Sequence, residues 1–459
     1  MISERRNEPR SRTAIHDETG TWYILDNAAT IIPSVTDAVE TKLFRLSATL
    51  AEDIDAGILQ SALDAVVARF PYFAVEFRHG LFWHYLAPCN SRILLVDDAI
   101  SPSQDYDVNK RGTCLFRVRV GGRRIACEFH HSLTDGTGGM RFLKNLLAEY
   151  CRRAAPPSAG ASNRRPAAWE DDPDLYALED SPAPEEYEDA YNRHYREAIP
   201  APDRVRPAFR LRSPPLPRHE YRTICGLIPL AEALATAKGF GASLTEFLAA
   251  TYIDALQTIW LSQTAANQPT ERDHAARPNL VVSVPVNMRR LFPSATNRNF
   301  SLFAFVSQDM RLGRRDFREI VERARLQLRF ETDAKTMGRQ LSRNVSASNS
   351  IFFRAMPLPL KTLVFRLFYH LFGENLYTAG LSNLGAASLP PGLEARVERF
   401  DFVPMPTREK TEVSMISWRG ILHVTFGSLG SSRELERLFF TRLRKLGLRV
   451  RIECNLEER

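Results

Sequence analysis

The stretch FRVRVGGRRIACEFHHSLTDG, residues 116–136, decides how this chain is read. Phe116, Val118 and Val120 alternate with Arg117 and Arg119, the period-two pattern of a half-buried strand. Gly121-Gly122 reads as a two-residue hairpin turn. The return strand sets Ile125, Cys127 and Phe129 on one face and Ala126 and Glu128 on the other. It runs straight into His130-His131-Ser132-Leu133-Thr134-Asp135-Gly136. After that, Met140, Leu143, Leu146, Leu147 and Tyr150 recur at helical spacing. A side chain at such a strand-to-helix junction stands at the mouth of a cleft. A histidine there, with an ordinary pKa of about 6.5, suits general-base work near neutral pH. Asp135, four residues on, is placed to pair with an arginine and lock the turn that aims the histidine. Gly136 and Gly138 permit backbone geometry that a Cβ would forbid.

Working outward, Leu59, Leu63, Val66, Val67 and Phe70 form a helix stripe ended by Pro71. Tyr72–Phe77 and Leu81–Tyr85 read as short strands. From Cys151 to about His219 the chain is rich in Pro, Ala and both charges, and its apolar content is too low for a core of its own. Beyond it, a strand near Tyr221–Pro229 precedes a short helix, Leu230–Lys238. Ser243-Leu244-Thr245-Glu246 is a capping box for the next helix. Leu280–Val286 and Ser301–Val306 read as strands, and Leu422, Val424 and Phe426 alternate as another. Ser431 and Glu434 read as the cap of a last helix, which Gly447 stops. The expected organisation is a polar tail (1–20), an N-terminal lobe (21–154), a linker or mobile lid (155–218) and a C-terminal lobe (219–459). The fold class is α/β, two lobes each built as a sheet covered by helices.

Composition narrows the function classes. Hydrophobic residues make up 44% and charged residues 25% of the 459, which excludes disordered, collagenous and coiled-coil chains. The net charge of +7 suits anionic partners such as phosphorylated cofactors or acidic carrier proteins, and no clustered basic stripe points to nucleic acid. The six cysteines are scattered without CxxC pairs, as in a reducing cytoplasm. The N-terminus lacks the apolar core of a secretory signal. Phe352–Phe372 is the most apolar long stretch, but Arg354, Lys361, Arg366 and three more polar or proline positions interrupt it. It reads as amphipathic, buried or interfacial, with core placement favoured over lipid contact and no transmembrane segment. Adjacent strand histidines point to opposite faces, and no Cys, His or Glu has ligand spacing to them, so no metal site is expected. No GxSxG elbow supports a serine hydrolase.

The motif HHxxxDG at His130–Gly136 resembles the signature of the CoA- and carrier-dependent acyltransferase superfamily. That superfamily includes chloramphenicol acetyltransferases, plant alcohol acyltransferases, polyketide-associated acyltransferases and peptide-synthetase condensation domains. LDNAAT (25–30), SLTEFLAA (243–250), VPVNMRRLFPSATNRNF (284–300) and GLSNLG (380–385) are similar to the stand-alone alcohol acetyltransferase-like branch. Thr137-Gly138 replaces the bulky residue and serine usual in condensation domains, and the plant DFGWG motif is absent.

The resemblance implies two chloramphenicol acetyltransferase-like lobes, each a mostly antiparallel or mixed sheet covered by helices, with a tunnel between them. It makes His131 the general base and Asp135, Gly136 and Arg289 structural at the active site, with Arg289 pairing Asp135. It places His130, Ser382 and Asn383 near substrate. The implied reaction moves an acyl group from acyl-CoA, or an acyl carrier thioester, to a small-molecule alcohol or amine. No permanent cofactor and no metal are needed. Two rivals stand beside this reading. One is a condensation-type enzyme working on carrier-protein-bound substrates; the other is a non-catalytic family member that serves as a binding domain.

Overall fold

A computed structural model describes residues 14–17, 20–99, 101–155, 166, 169, 171–196, 207–265, 277–350, 354–369, 375–408 and 410–456. The first lobe is built on two sheets. A four-stranded one runs in the order β1 (Ala14–Asp17), β2 (Gly20–Ile24), β5 (His84–Pro88) and β4 (Val75–His79). A five-stranded one runs β13 (Val397–Val403), β3 (Leu43–Leu50), β8 (Arg124–His130), β7 (Phe116–Gly121) and β6 (Val96–Asp97). Helices α1 (Ala56–Arg69) and α2 (Gly136–Ala154) pack on each other over this lobe's core.

The second lobe carries a seven-stranded mixed sheet. Its order is β11 (Ser301–Asp309), β10 (Asn279–Asn287), β12 (Ala379–Ala386), β14 (Glu412–Trp418), β15 (Ile421–Ser428), β9 (Arg222–Pro229) and β16 (Arg451–Cys454). The central helix α5 (Leu244–Ala265) packs against α4 (Leu230–Gly239), α6 (Phe317–Glu331) and α10 (Glu434–Lys445). The Ser243 capping box forms as read: Glu246 accepts from the Ser243 N–H, and the Ser243 hydroxyl accepts from the Glu246 N–H. The remaining helices are α3 (Ala190–His194), α7 (Ala334–Asn349), α8 (Leu358–Phe368) and α9 (Leu393–Arg396).

Several expectations need correction. The lobe boundary is not a single cut, because β13 leaves the C-terminal half and pairs with β3 of the first lobe. Leu393, Val397, Phe400 and Trp418 join the first lobe's core with it. Pairing also begins before residue 21, since Ala14–Asp17 is already a strand. The hairpin turn is Gly122-Arg123 rather than Gly121-Gly122, because Gly121 still pairs with Arg124 and Gly122 takes the positive φ. The Phe116 strand is buried on both faces. Arg117 and Arg119 point inward with Arg45 onto the fully buried Glu128, so paired charges stand where solvent was expected. Strands β4 and β5 each begin three residues later than the aromatic runs suggest. The N-cap of α10 is Arg433, not Ser431.

Within the 155–218 linker, residues 156–165, 167–168, 170 and 197–206 lie outside the described residues. Residues 171–196 build no core of their own but are packed against both lobes, where a mobile lid was expected. Glu186 receives both Arg69 guanidinium nitrogens and the Tyr72 hydroxyl, while its backbone carbonyl takes the Asn297 N–H. Tyr191 is buried in the second lobe's core and donates to the Ser301 carbonyl. This segment therefore straps the two lobes together on one side. Among the described residues, no helix is long and apolar enough to cross a membrane.

Candidate active site

The turn between β8 and α2 is held by backbone before any side chain acts. The His131 N–H donates to the Lys42 carbonyl at 2.9 Å, and the Leu133 N–H to the His130 carbonyl at 2.8 Å. Asp135 is the N-cap of α2, where a carboxylate meets the free N–H groups of the first turn: one oxygen takes Thr137 N–H at 3.1 Å and Gly138 N–H at 3.2 Å. The other oxygen takes Arg289 at 2.8 Å and Phe300 N–H at 2.9 Å. Burial pushes this carboxyl up, but the Arg289 guanidinium and the N–H donors outweigh it and hold it below its ordinary value. Arg289 is fixed in turn by the Thr296 and Arg298 carbonyls. Gly138 has no room for a side chain, since a Cβ would lie 2.0 Å from the Asn297 carbonyl oxygen.

The two histidines live in opposite surroundings. His130 is fully buried, edge-on to Phe77. Its Nδ1 accepts from the Ser132 N–H at 3.3 Å. The Thr36 hydroxyl, already donating to the Ile32 carbonyl, lies 3.2 Å from Nε2. The imidazole is thus a neutral Nε2–H tautomer. Burial, then His131 and Lys42, push its pKa down to about 3. His131 instead lines a cavity of about 500 Å³ between the lobes. Its Nδ1 is 3.0 Å from Asn299 Oδ1. The Asn299 amide is oriented by its other bonds, because its Nδ2 serves two acceptors, the Asp26 carboxylate at 3.0 Å and the His131 carbonyl at 2.9 Å. Oδ1 therefore faces the ring and requires Nδ1–H, which leaves Nε2 with its lone pair.

Asn299 and Asp26 were missed by sequence reasoning. Both lie inside segments that drew notice, LDNAAT and TNRNF, but no periodicity singles them out. The available signal was Thr296-Asn297-Arg298-Asn299, four polar residues in a row, all buried. Ser382 and Asn383 come from β12 to the same cavity, with Gly136 and Asp135 opposite. Asn383 is tied to Thr245 at 3.0 Å and to the Gly385 N–H at 2.8 Å. The Ser382 hydroxyl has no partner among the described residues. His130 does not line the cavity. Glu412 does, with burial pushing its carboxyl up to about 7.

Away from this site, Cys225, Asp401 and His423 bring ligand atoms within 4.8 Å of one another, a trio that spacing could not reveal. Arg399 already occupies it, donating to Asp401 at 2.7 Å and lying 3.7 Å from the Cys225 sulfur. The trio is thus part of a half-buried ion-pair network.

No family model matches the chain. No curated protein matches it either. Solved structures do. The Fusarium sporotrichioides protein TRI101, solved with coenzyme A and T-2, aligns over 93% of this chain and 98% of its own at 10% identity and TM-score 0.58. The trichothecene 15-O-acetyltransferase TRI3 of the same fungus aligns over 96% and 97% at 12% identity and TM-score 0.54. Polyketide synthase associated protein 5 of Mycobacterium tuberculosis aligns over 87% and 92% at 14% identity and TM-score 0.52. The likeness is one of fold: this chain has the two-lobed, chloramphenicol acetyltransferase-like architecture that its motif implies.

Proposed function

We propose that the protein is an acyltransferase that moves an acyl group from acyl-CoA to an alcohol or amine, with His131 as general base. The observation that carries this reading is the state of His131: Nδ1–H is held on Asn299, and Nε2 is the free nitrogen of a ring lining the inter-lobe cavity. Nε2 takes the proton of the acceptor hydroxyl or amine as its heteroatom attacks the thioester carbon. The Nδ1–H···Asn299···Asp26 chain keeps the ring oriented, with the Asp26 carboxyl one residue behind it. The oxyanion needs a donor in the cavity, and Ser382 is the candidate, since it lines the cavity and its hydroxyl is not otherwise engaged among the described residues. Collapse breaks the C–S bond, and Nε2–H returns the proton to the departing thiolate. Asp135 and Arg289 hold the turn and touch no reacting atom.

Three features favour CoA as the donor. The net charge is +7, Arg290 and Arg329 line the cavity, and a structure of the same fold was solved with coenzyme A. The test is release of free thiol from acyl-CoAs of graded length with pooled alcohols and amines. Acceptor-dependent release is expected. His131→Ala should lower it by roughly 10²–10⁴-fold with the fold retained, and His130→Ala by less. Release that ignores the acceptor, or folded variants that lose activity equally, would overturn the assignment.

A further inference from the structure

Helix α8 is amphipathic the wrong way round for a core helix. Leu360, Leu363 and Leu367, at spacings of three and four, share one face and are 51%, 63% and 57% exposed. The inward face carries Leu358 and a fully buried Lys361. That ammonium donates to the Phe82 carbonyl at 2.8 Å and lies over the Trp83 ring, so the helix is pinned with its leucines outward. The core placement expected for this stretch is therefore corrected for its described part, residues 354–369.

The patch extends beyond the helix. The tip of the β4–β5 hairpin adds Leu81, 71% exposed, and Phe82, 40% exposed. It is joined to the helix by the Leu358 N–H on the Leu81 carbonyl at 2.8 Å. Isolated surface leucines are ordinary, whereas five large exposed apolar side chains on two bonded elements mark an interaction surface. Along the helix the charge has one sign. Between Arg354 and Tyr369 the charged residues are Arg354, Lys361 and Arg366, with no acid, and both arginines are exposed. An apolar face with a basic border is what lies at a bilayer interface, leucines among the acyl chains and arginines on phosphate headgroups. A cavity of about 560 Å³, lined by Leu81, Leu358 and Pro359 with His79, His84 and Arg366, opens beside it.

We infer that α8 and the 79–84 hairpin form a docking surface for an anionic membrane, on which the protein sits without crossing it. The experiment is co-sedimentation of the full chain with vesicles of phosphatidylcholine, with and without phosphatidylglycerol. Binding should be at least about tenfold stronger to the anionic vesicles and weaken with salt. Leu360→Gln/Leu363→Gln/Leu367→Gln, all at exposed positions, should lose at least about tenfold in affinity with an unchanged melting temperature. Arg354→Gln/Arg366→Gln should lose the preference for anionic lipid. Failure of the wild type to bind anionic vesicles, or equal binding by the triple variant, overturns the inference. So does a wild-type dimer in solution that the triple variant makes monomeric without any vesicle binding, because the face is then a contact between copies.

Discussion

The two walls of the cavity are built to different standards. On the His131 wall the groups that aim the ring are tied down: Asp135 receives four donors, Asn299 bridges the ring and Asp26, and Gly138 sits where a methyl group would meet a carbonyl. On the facing wall, β12 breaks register between Asn383 and Ala386, Gly385 takes a positive φ, and the Ser382 hydroxyl is unengaged among the described residues. The first wall is set by burial, which makes each unpaired group costly. The second is a strand end open to the cavity, where a side chain can be held for a ligand rather than for the fold. The difference teaches where chemistry and stability are tied together and where they are separable.

The largest expected effect tests the tied wall. Asp135 and Arg289 are buried at 2.8 Å, so removing either leaves an uncompensated charge, at about 3–5 kcal/mol. Asp135→Ala should cost more than Arg289→Ala, because it also uncaps α2 and orphans the Phe300 N–H. A double-mutant cycle on unfolding free energy should show coupling well above the roughly 0.5 kcal/mol scatter of independent sites. Additive losses would mean that the wall is held by its backbone bonds alone.

A smaller effect contrasts the walls directly. Ser382→Ala should lower kcat, by up to about 10²-fold if its hydroxyl serves the oxyanion, and leave unfolding within about 0.5 kcal/mol of wild type. Asn299→Ala should lower both, with about 1–3 kcal/mol lost because Asp26 and the His131 carbonyl lose their donor. A Ser382 variant that is destabilised, or an Asn299 variant that is only slower, would erase the distinction.

How legible each wall was follows from the same physics. The motif His130–Gly136 and the strand and helix around it could be read because their periodicity is local. The junction of Asp135 with Arg289 came from the family resemblance, since nothing local links positions 154 residues apart. Asn299 and Asp26 stayed hidden because a buried polar residue in an irregular segment looks like any loop residue. The arginines of β7 misled in the other direction: alternation with valine signals a solvent face only when no Glu128 waits opposite. The crossing of β13 into the first lobe depends on pairing between residues about 350 apart in sequence, which no composition shift announces. The leucines of α8 were read as core because apolar spacing is the same whether a face looks inward or outward.

The pH dependence of stability is the most diagnostic of how the His131 wall is charged. Asp26 is fully buried and accepts Ala29 N–H at 2.8 Å, Asn299 N–H at 3.3 Å and Asn299 Nδ2 at 3.0 Å. Burial first, then Asp189, push its carboxyl from 3.8 up to about 7, against Arg298 and the donors. The folded state therefore holds this proton more tightly than the unfolded chain. Between about pH 4 and 7 the native protein binds more protons than the unfolded one, so this group makes stability fall as pH rises, and the fall is complete above pH 7. His130 works the other way. Its folded pKa is pushed down to about 3 from 6.5, so its contribution is present above 6.5 and lost as pH falls towards 3. In a comparison of Asp26→Asn with wild type, His130 and Glu412 are common to both and cancel. The amide turns two hydrogens towards the Asn299 donors, an offset that does not depend on pH. What remains is the titration of Asp26. The melting temperature of the variant relative to wild type should rise steadily from pH 4 to pH 7 and then level off. A difference that is flat across that range would show that Asp26 stays ionised when folded, its three N–H donors and Arg298 having overcome its burial.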